Sequence, residues 1–137
     1  MKNEKSCGAI CFFYDNTELK VLLVQHKLGG HWAFPKGHVE KNELEYETAI
    51  REVKEETSVD IEILNGFRKE NIYSPAKNIL KKVVYFVAIS NNIKTKPQPE
   101  EIRATNFINT NEAMQILTYP ADKKLLAQAI EFYESHI

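Results

Sequence analysis

The sequence has little net charge, no long apolar run and few cysteines, and each shortage argues against a class of protein. It carries 18 lysines and arginines against 19 aspartates and glutamates, so it lacks the basic field that would hold a long polyanion such as nucleic acid. No segment approaches the roughly 20 apolar residues of a membrane-spanning helix, and the N-terminus has no pattern of a signal cleavage site. We therefore expect a cytoplasmic protein with neither a membrane nor a nucleic acid as its partner.

The two cysteines, Cys7 and Cys11, fall in a predicted strand. Four residue steps of about 3.3 Å separate them by more than the roughly 7 Å that a disulfide spans, so we interpret them as small buried residues. The chain of 137 residues is long enough for one hydrophobic core and too short for two ordinary domains. We predict a single domain over residues 1–137 and a monomer.

Apolar periodicity predicts the order of the elements. Residues 7–14 and 19–25 are expected to form two strands with a tight connection at 15–17, and further strands are predicted over 60–69, 82–89 and 104–108. Asn109 with Glu112 is expected to open a short helix, and Pro120 lies in the first turn of a last one. Strands interrupted by one helix favour an α+β fold or an α/β/α sandwich over a doubly wound sheet.

The interrupting helix is unusually acidic, with seven glutamates between Glu40 and Glu56. Asn42 is the predicted N-cap, with Glu45 completing a capping box. At 100° per residue, one arc faces the core and a neighbouring arc carries carboxylates. The predicted core face consists of Tyr46, Ala49, Ile50, Val53 and Thr57, and the acidic arc of Glu52, Glu55 and Glu56.

Two interpretations of the acidic arc are open at this point. Glutamate-rich runs are common on the solvated faces of surface helices, because glutamate is a good helix former. Like charges three and four residues apart repel one another, however, and only Lys54 lies nearby to relieve them. If the carboxylates form a metal site, their hard oxygen atoms select Mg²⁺ or Mn²⁺.

The acidic stretch resembles the signature of the Nudix hydrolase family. Gly37, Glu43, the run Arg51-Glu52-Val53-Lys54-Glu55-Glu56-Thr57 and Val59 match its fixed positions over twenty-three residues. Ser58 departs from the pattern, because the family has glycine there. That glycine relaxes the turn that leaves the helix, so we expect Ser58 to cost local backbone strain and no chemistry.

This resemblance implies a Nudix fold, an α/β/α sandwich with a mixed sheet and a catalytic loop–helix–loop, and hydrolysis that depends on Mg²⁺ or Mn²⁺. The implied metal-binding residues are Gly37, through its carbonyl, Glu52, Glu55, Glu56 and Glu101. The implied catalytic residues are Glu52, Glu55, Glu56, Arg51 and Glu43. Glu52 would assist the attacking water, and Arg51 would brace the loop by pairing with Glu43. For Glu101, its neighbour Glu100 and a role as a plain loop residue are the alternatives.

Segments outside the signature resemble asymmetric diadenosine tetraphosphate hydrolases, a branch of this family. They are His31 to Glu40, Gly66 to Glu70 with Tyr73, and Lys81 to Phe86. The implied substrate-binding residues are His31, Lys36 and Lys81 on the phosphates, and Tyr73 and Tyr119 on either side of an adenine. Taken singly, each tyrosine is better explained by packing, and an alternative for Lys81 is that it keeps a strand edge soluble.

The expected reaction is hydrolysis of diadenosine tetraphosphate to ATP and AMP by attack of water on a phosphorus, with a small nucleotide as the partner. One alternative is a pyrophosphohydrolase of nucleoside triphosphates or of RNA 5′-triphosphates. Another is a non-catalytic nucleotide-binding module, and a metal-dependent isomerase is a third. His26 has no assigned role, and Tyr85 and Phe86 are assigned to the core.

Overall fold

The apolar segments of the chain pair into one mixed β-sheet that carries helices on both faces. A computed structural model describes residues 1–136. Its strands are β1 (Lys2–Tyr14), β2 (Leu19–His26), β3 (Trp32–Ala33), β4 (Lys36–His38), β5 (Glu62–Ala76), β6 (Ile79–Ile89) and β7 (Ile102–Asn109). Its helices are α1 (Glu45–Thr57), α2 (Thr110–Ile116) and α3 (Pro120–Glu134). The predicted strands are all present, and most extend further than the apolar runs that indicated them.

Strand β1 is central because its side chains are apolar on both faces. It pairs in parallel with β6 from Lys2↔Ile79 to Phe12↔Ile89, and antiparallel with β2 and β4. Strand β5 continues the sheet beyond β6, and β7 pairs with β2, both antiparallel. One parallel pair among antiparallel ones makes the sheet mixed, as the sequence predicted.

The core is divided between the two faces of this sheet. Ile10 and Phe12 of β1 belong to the cluster that Leu126 of α3 completes, whereas Cys11, one residue away, packs with Val53 of α1. Both cysteines are free and buried, and burial raises the pKa of Cys11 to about 12. Since α1 covers one face and α2 and α3 the other, the α/β/α sandwich is confirmed.

The start of α1 differs from the prediction. Its N-cap is Leu44, whose side chain cannot accept a hydrogen bond, and Glu47, not Glu45, accepts one from the Leu44 backbone N–H at 2.8 Å. Asn42 lies two residues earlier with a φ of 66°. It occupies the left-handed turn of the preceding loop, a conformation that asparagine tolerates, and is therefore not the cap.

The buried face of α1 is also rotated from the predicted one. Ala49, Val53 and Thr57 are buried as predicted, but Tyr46 and Ile50 remain 49% and 37% exposed. Thr48 and Glu56 are buried instead. Hydrophobic periodicity alone placed the apolar residues on the buried face. In the structure, the helix turns the carboxylate of Glu56 toward the sheet instead.

The later helix boundaries agree with the predicted signals. The Asn109 side chain accepts hydrogen bonds from the backbone N–H groups of Asn111 and Glu112 at the start of α2, and Pro120 opens α3. Of residues 1–136, none belongs to a helix long and apolar enough to cross a membrane.

Ser58 ends α1 in the left-handed conformation with a φ of 66°, and its N–H donates to the carbonyl of Lys54. A side chain with a Cβ pays an energetic cost of about 1 kcal/mol in this region that glycine avoids. We expect Ser58→Gly to raise the free energy of unfolding by about 1 kcal/mol, measured by urea denaturation.

The matched control is Ser135→Gly at the C-cap of α3, where φ is −81°. Glycine relieves no strain there and adds conformational entropy to the unfolded chain, so this variant should be less stable than the parent. A Ser58→Gly protein no more stable than the parent would show that the left-handed turn is unstrained.

Candidate active site

Gly37 and Glu52 meet where β4 passes beneath α1. Strand β4 pairs with β1 through Cys7↔Gly37, and α1 packs over β1 and β4. A Cβ atom added at residue 37 would collide with the carboxylate of Glu52. Only glycine allows this approach, so the backbone of the loop and a helix carboxylate lie side by side.

Glu56 is the most deeply placed carboxylate of α1. The residue is 5% exposed, and its Oε1 accepts a hydrogen bond from the backbone N–H of Lys36 at 3.2 Å. The pKa of Glu56 is raised to about 8, because burial, the largest cause, and the charges of Glu52 and Glu101 together outweigh the opposing hydrogen bond and charge of Lys36. A cation beside this group would stabilise its ionised form.

Glu101, predicted as an additional acid from a later loop, lies in the field of the same cluster. Burial raises the pKa of Glu52, the Arg51 contact opposes that effect, and the charges of Glu55 and Glu101 add to it. Glu101 is exposed and is held by its carbonyl, which accepts from the N–H of Lys27 at 2.9 Å. The loop before β7 therefore brings a fourth carboxylate toward α1.

Arg51 connects the loop to the acidic helix. Its guanidinium donates to both oxygens of Glu43 at 2.6 and 3.0 Å and to the carbonyl of His38 at 3.0 Å. The Arg51–Glu43 pair named from the sequence is thus present. The same guanidinium also donates to Glu52 at 2.7 Å and to Glu55 at 3.1 Å, two contacts that the sequence did not indicate.

Lys54, the one lysine close to the acidic arc in sequence, does not relieve its repulsion. Its ammonium group pairs with Asp60 at 3.0 Å, on the side of α1 that leads to β5. Arg51 supplies the positive charge instead, because its longer, forked side chain reaches several carboxylates at once.

The donor set fits a divalent cation of the magnesium type. Glu52, Glu56 and the neighbouring Gly37 backbone present hard oxygen atoms, and the raised pKa of Glu56 follows from carboxylates crowded away from water. Across residues 1–136, no three acidic, histidine or cysteine side chains form a closed metal-binding cluster. Glu55, half exposed and engaged by Arg51, would have to turn in order to join the others.

A pocket of about 540 Å³ opens next to the carboxylates. Four of the five predicted substrate-binding residues line it, namely His31, Lys36, Tyr73 and Tyr119. Lys81, the fifth, lies near enough for its charge to lower the pKa of Lys36, after the larger effect of burial. A groove of about 800 Å³ between α1 and β5 is larger, but it lies away from these residues and we do not consider it the site.

Lys36 joins the two parts of the site. Its backbone N–H binds Glu56, and its side chain lines the pocket. Burial lowers the pKa of Lys36 and Lys81 adds to this, whereas Glu56 and Asp122 oppose it. One cation therefore lies between the carboxylates and the pocket.

Two further pocket residues were missed by the sequence analysis. His26 stacks on His31 with ring centroids 4.3 Å apart, and His31 contacts Tyr119 at 5.5 Å; burial lowers the pKa of His26 to about 4. Asp122 is 5% exposed, and burial raises its pKa to about 6. Neither residue belongs to a motif, and an acid in the first turn of a helix is ordinarily explained by the helix dipole.

Tyr85 belongs both to the hydrophobic core and to the wall of the pocket. It is buried in the core, as predicted, yet it also lines the pocket. Phe86 packs on the opposite face, beside α1. The alternation of β6 thus sends one aromatic ring toward the pocket and the next away from it.

The chain is similar to known proteins in both sequence and fold. The NUDIX domain model matches residues 5–129. The bis(5′-nucleosyl)-tetraphosphatase (asymmetrical) of Sus scrofa is 34% identical over 139 residues, covering 93% of this chain and 94% of that protein. The protein of the same name from Caenorhabditis elegans is 30% identical, covering 93% and 95%. A crystal structure of a C. elegans Ap4A hydrolase binary complex superposes with a TM-score of 0.86 at 27% identity, covering 98% of this chain and 99% of that one.

The buried carboxylate of Asp122 should make stability depend on pH. Its pKa rises from 3.8 to about 6 on folding, so the unfolded chain ionises first and stability falls as the pH rises through this window. We expect Asp122→Asn to raise the free energy of unfolding by up to about 3 kcal/mol at pH 8 and by about half as much at pH 5. Urea denaturation at the two pH values measures both.

Asp60→Asn makes the same chemical change at an aspartate whose side chain is 86% exposed. It should give no gain at either pH, because that carboxylate stays in water. Equal stability of the Asp122→Asn protein and its parent at pH 8 would contradict the buried position of Asp122.

Proposed function

This chain belongs to the NUDIX domain family, and we propose that it is a hydrolase of dinucleoside polyphosphates that cleaves diadenosine tetraphosphate to ATP and AMP. The observation that carries the proposal is the position of Lys36, which joins a carboxylate cluster to an aromatic pocket. A substrate with its phosphates at the cluster and its base in the pocket would span both. The names of the relatives with 30–34% identity support the same substrate.

We propose that Glu52, Glu56 and the Gly37 carbonyl hold the cation, with Glu55 and Glu101 completing its surroundings. A bound Mg²⁺ or Mn²⁺ supplies neutralisation of phosphate oxygens and a lower pKa for a coordinated water. Within this arrangement Glu52 orients the attacking water, because its carboxylate is fixed between Gly37 and Arg51. Mg²⁺ is the proposed ion, since oxygen donors favour hard cations.

Arg51 acts as a positioning residue in this proposal. Its contacts with Glu43 and the His38 carbonyl fix the loop, and its contacts with Glu52 and Glu55 keep two carboxylates close despite their repulsion. Charge-assisted contacts of this kind are stronger than neutral hydrogen bonds and more directional.

The remaining residues bind the nucleotide. Tyr73 and Tyr119 are 39% and 50% exposed, so their rings are available to stack on a base, which is worth about 1–3 kcal/mol per base. Lys36 and His31 line the same pocket and Lys81 lies near Lys36, so these three residues would contact the phosphate chain. We also propose that the chain is a single-domain enzyme that works as a monomer.

Product analysis tests the reaction directly. Diadenosine tetraphosphate, GTP and triphosphorylated RNA are each incubated with the protein and Mg²⁺, and the products are separated by ion exchange. We expect ATP and AMP in equal amounts from the dinucleotide, and no reaction when EDTA removes the metal. Pyrophosphate from GTP or RNA alone would replace the proposed substrate with a triphosphate, and the absence of any product would favour a binding module.

Conservative variants test the carboxylates. Glu52→Gln and Glu56→Gln should each lower kcat by roughly a hundredfold or more, because an amide of the same shape neither neutralises a divalent cation nor accepts a proton from water. Circular dichroism checks that the fold is intact.

Glu62→Gln is the matched control, since Glu62 is exposed on β5 and outside both parts of the site. Its kcat should equal that of the parent. Full activity in the Glu52→Gln and Glu56→Gln proteins would remove these residues from the proposed cation site.

A further inference from the structure

Asp122 presents a free carboxylate to the nucleotide pocket. The residue is 5% exposed and lines that pocket. Throughout residues 1–136, no side-chain hydrogen bond or ion pair engages its carboxylate, and the one charge that acts on it appreciably is that of Lys36. Buried carboxylates are almost always paired, so an unpaired one that faces a cavity indicates a group that is supplied from outside.

The position of Asp122 relative to Tyr119 is fixed by the first turn of α3. Tyr119 is the N-cap of this helix, and the Asp122 N–H donates to its carbonyl at 3.0 Å. Both side chains line the same pocket. A base stacked on the Tyr119 ring would therefore lie in the same cavity as the Asp122 carboxylate.

The Asp122 carboxylate affects the pKa of two tyrosines in the pocket, so it lies near their rings. Burial, Tyr119 and Asp122, in that order of effect, raise the pKa of Tyr73. Burial and then Asp122 raise the pKa of Tyr85. The carboxylate thus lies within electrostatic reach of an exposed ring at the mouth and of a buried ring below it.

We propose that Asp122 reads the hydrogen-bond donors on the edge of the bound base and gives the pocket a preference for guanine over adenine and hypoxanthine. This inference rests on the proposed function, because it assumes that the aromatic pocket holds a base. It extends the substrate class to dinucleoside polyphosphates that contain guanine.

The chemistry of the three bases supports this order. An ionised carboxylate only accepts hydrogen bonds. Guanine offers two neighbouring donors, its N1–H and its N2 amino group, one for each carboxylate oxygen. Adenine offers one amino group next to the N1 lone pair, which repels the second oxygen, and hypoxanthine offers the N1–H alone. With its pKa at about 6, Asp122 is ionised at pH 8.

Equilibrium binding of mononucleotides tests the proposal without turnover. The dissociation constants of GMP, AMP and IMP are measured by calorimetry at pH 8 in the absence of metal. The parent should bind GMP about tenfold more tightly than IMP or AMP, as expected when a two-point contact is lost. Asp122→Asn should shift the GMP to AMP ratio toward AMP by about tenfold or more, because an amide donates to N1 of adenine and accepts from its amino group.

Two control variants separate base reading from other effects. Glu131→Gln removes one negative charge from an exposed position of the same helix and should leave all three dissociation constants unchanged. Tyr73→Ala removes stacking, which does not depend on the base edge, and should weaken the three nucleotides alike. Circular dichroism of each variant checks folding.

The outcomes distinguish this inference from the proposed function. Equal affinities of the parent for the three nucleotides, or a ratio unchanged by Asp122→Asn, would overturn the reading of the base edge even if diadenosine tetraphosphate is hydrolysed. A guanine preference that disappears in the Asp122→Asn protein would support it even if product analysis finds no dinucleotide hydrolysis. Absence of binding of all three mononucleotides would overturn the reading of the base edge, and product analysis would still decide the proposed function separately.

Discussion

The acidic helix depends on the guanidinium of Arg51. Helix α1 and the loop before it carry seven glutamates, and four of those carboxylates, from Glu40, Glu43, Glu52 and Glu55, converge on this one group. The guanidinium offers five N–H donors in a rigid plane, so it can serve several acceptors without losing its charge. Without it, like charges on adjacent turns would repel one another and the loop would lose its contact with the helix.

That contact determines what the remaining carboxylates can do. Arg51 holds Glu52 against Gly37, and among residues 1–136 the Lys36 N–H is the one hydrogen-bond donor to the neighbouring Glu56. Burial of a carboxylate with so little compensation favours its neutral form. The free-energy cost of burying the ionised carboxylate therefore falls on Glu56, where a bound cation would remove it. Such perturbed groups are common at functional sites.

Lys36 extends the same electrostatic balance into the pocket. It lies between Glu56 on one side and Asp122 on the other, and both carboxylates act on it. His26 and His31 stack nearby, and burial lowers the pKa of both, so they add little positive charge at neutral pH. The pocket is thus an aromatic cavity that has the Lys36 side chain on the side of the carboxylate cluster and the Asp122 carboxylate, a hydrogen-bond acceptor, in its wall.

The sequence by itself determined the family, the mixed sheet with helices on both faces and the identities of the carboxylates, because a signature with fixed spacing and period-2 or period-3.6 patterns are local properties of the chain. It also located Asn109, Pro120 and the strained turn at Ser58. Only the tertiary structure decided which face of α1 is buried, which cation relieves its charge and which residues line the pocket. Glu56 turns inward, Arg51 pairs with the carboxylates whereas Lys54 pairs with Asp60, and His26 and Asp122, 96 positions apart in the sequence, line one pocket. These outcomes depend on contacts between distant segments, and spacing along one segment carries no information about them.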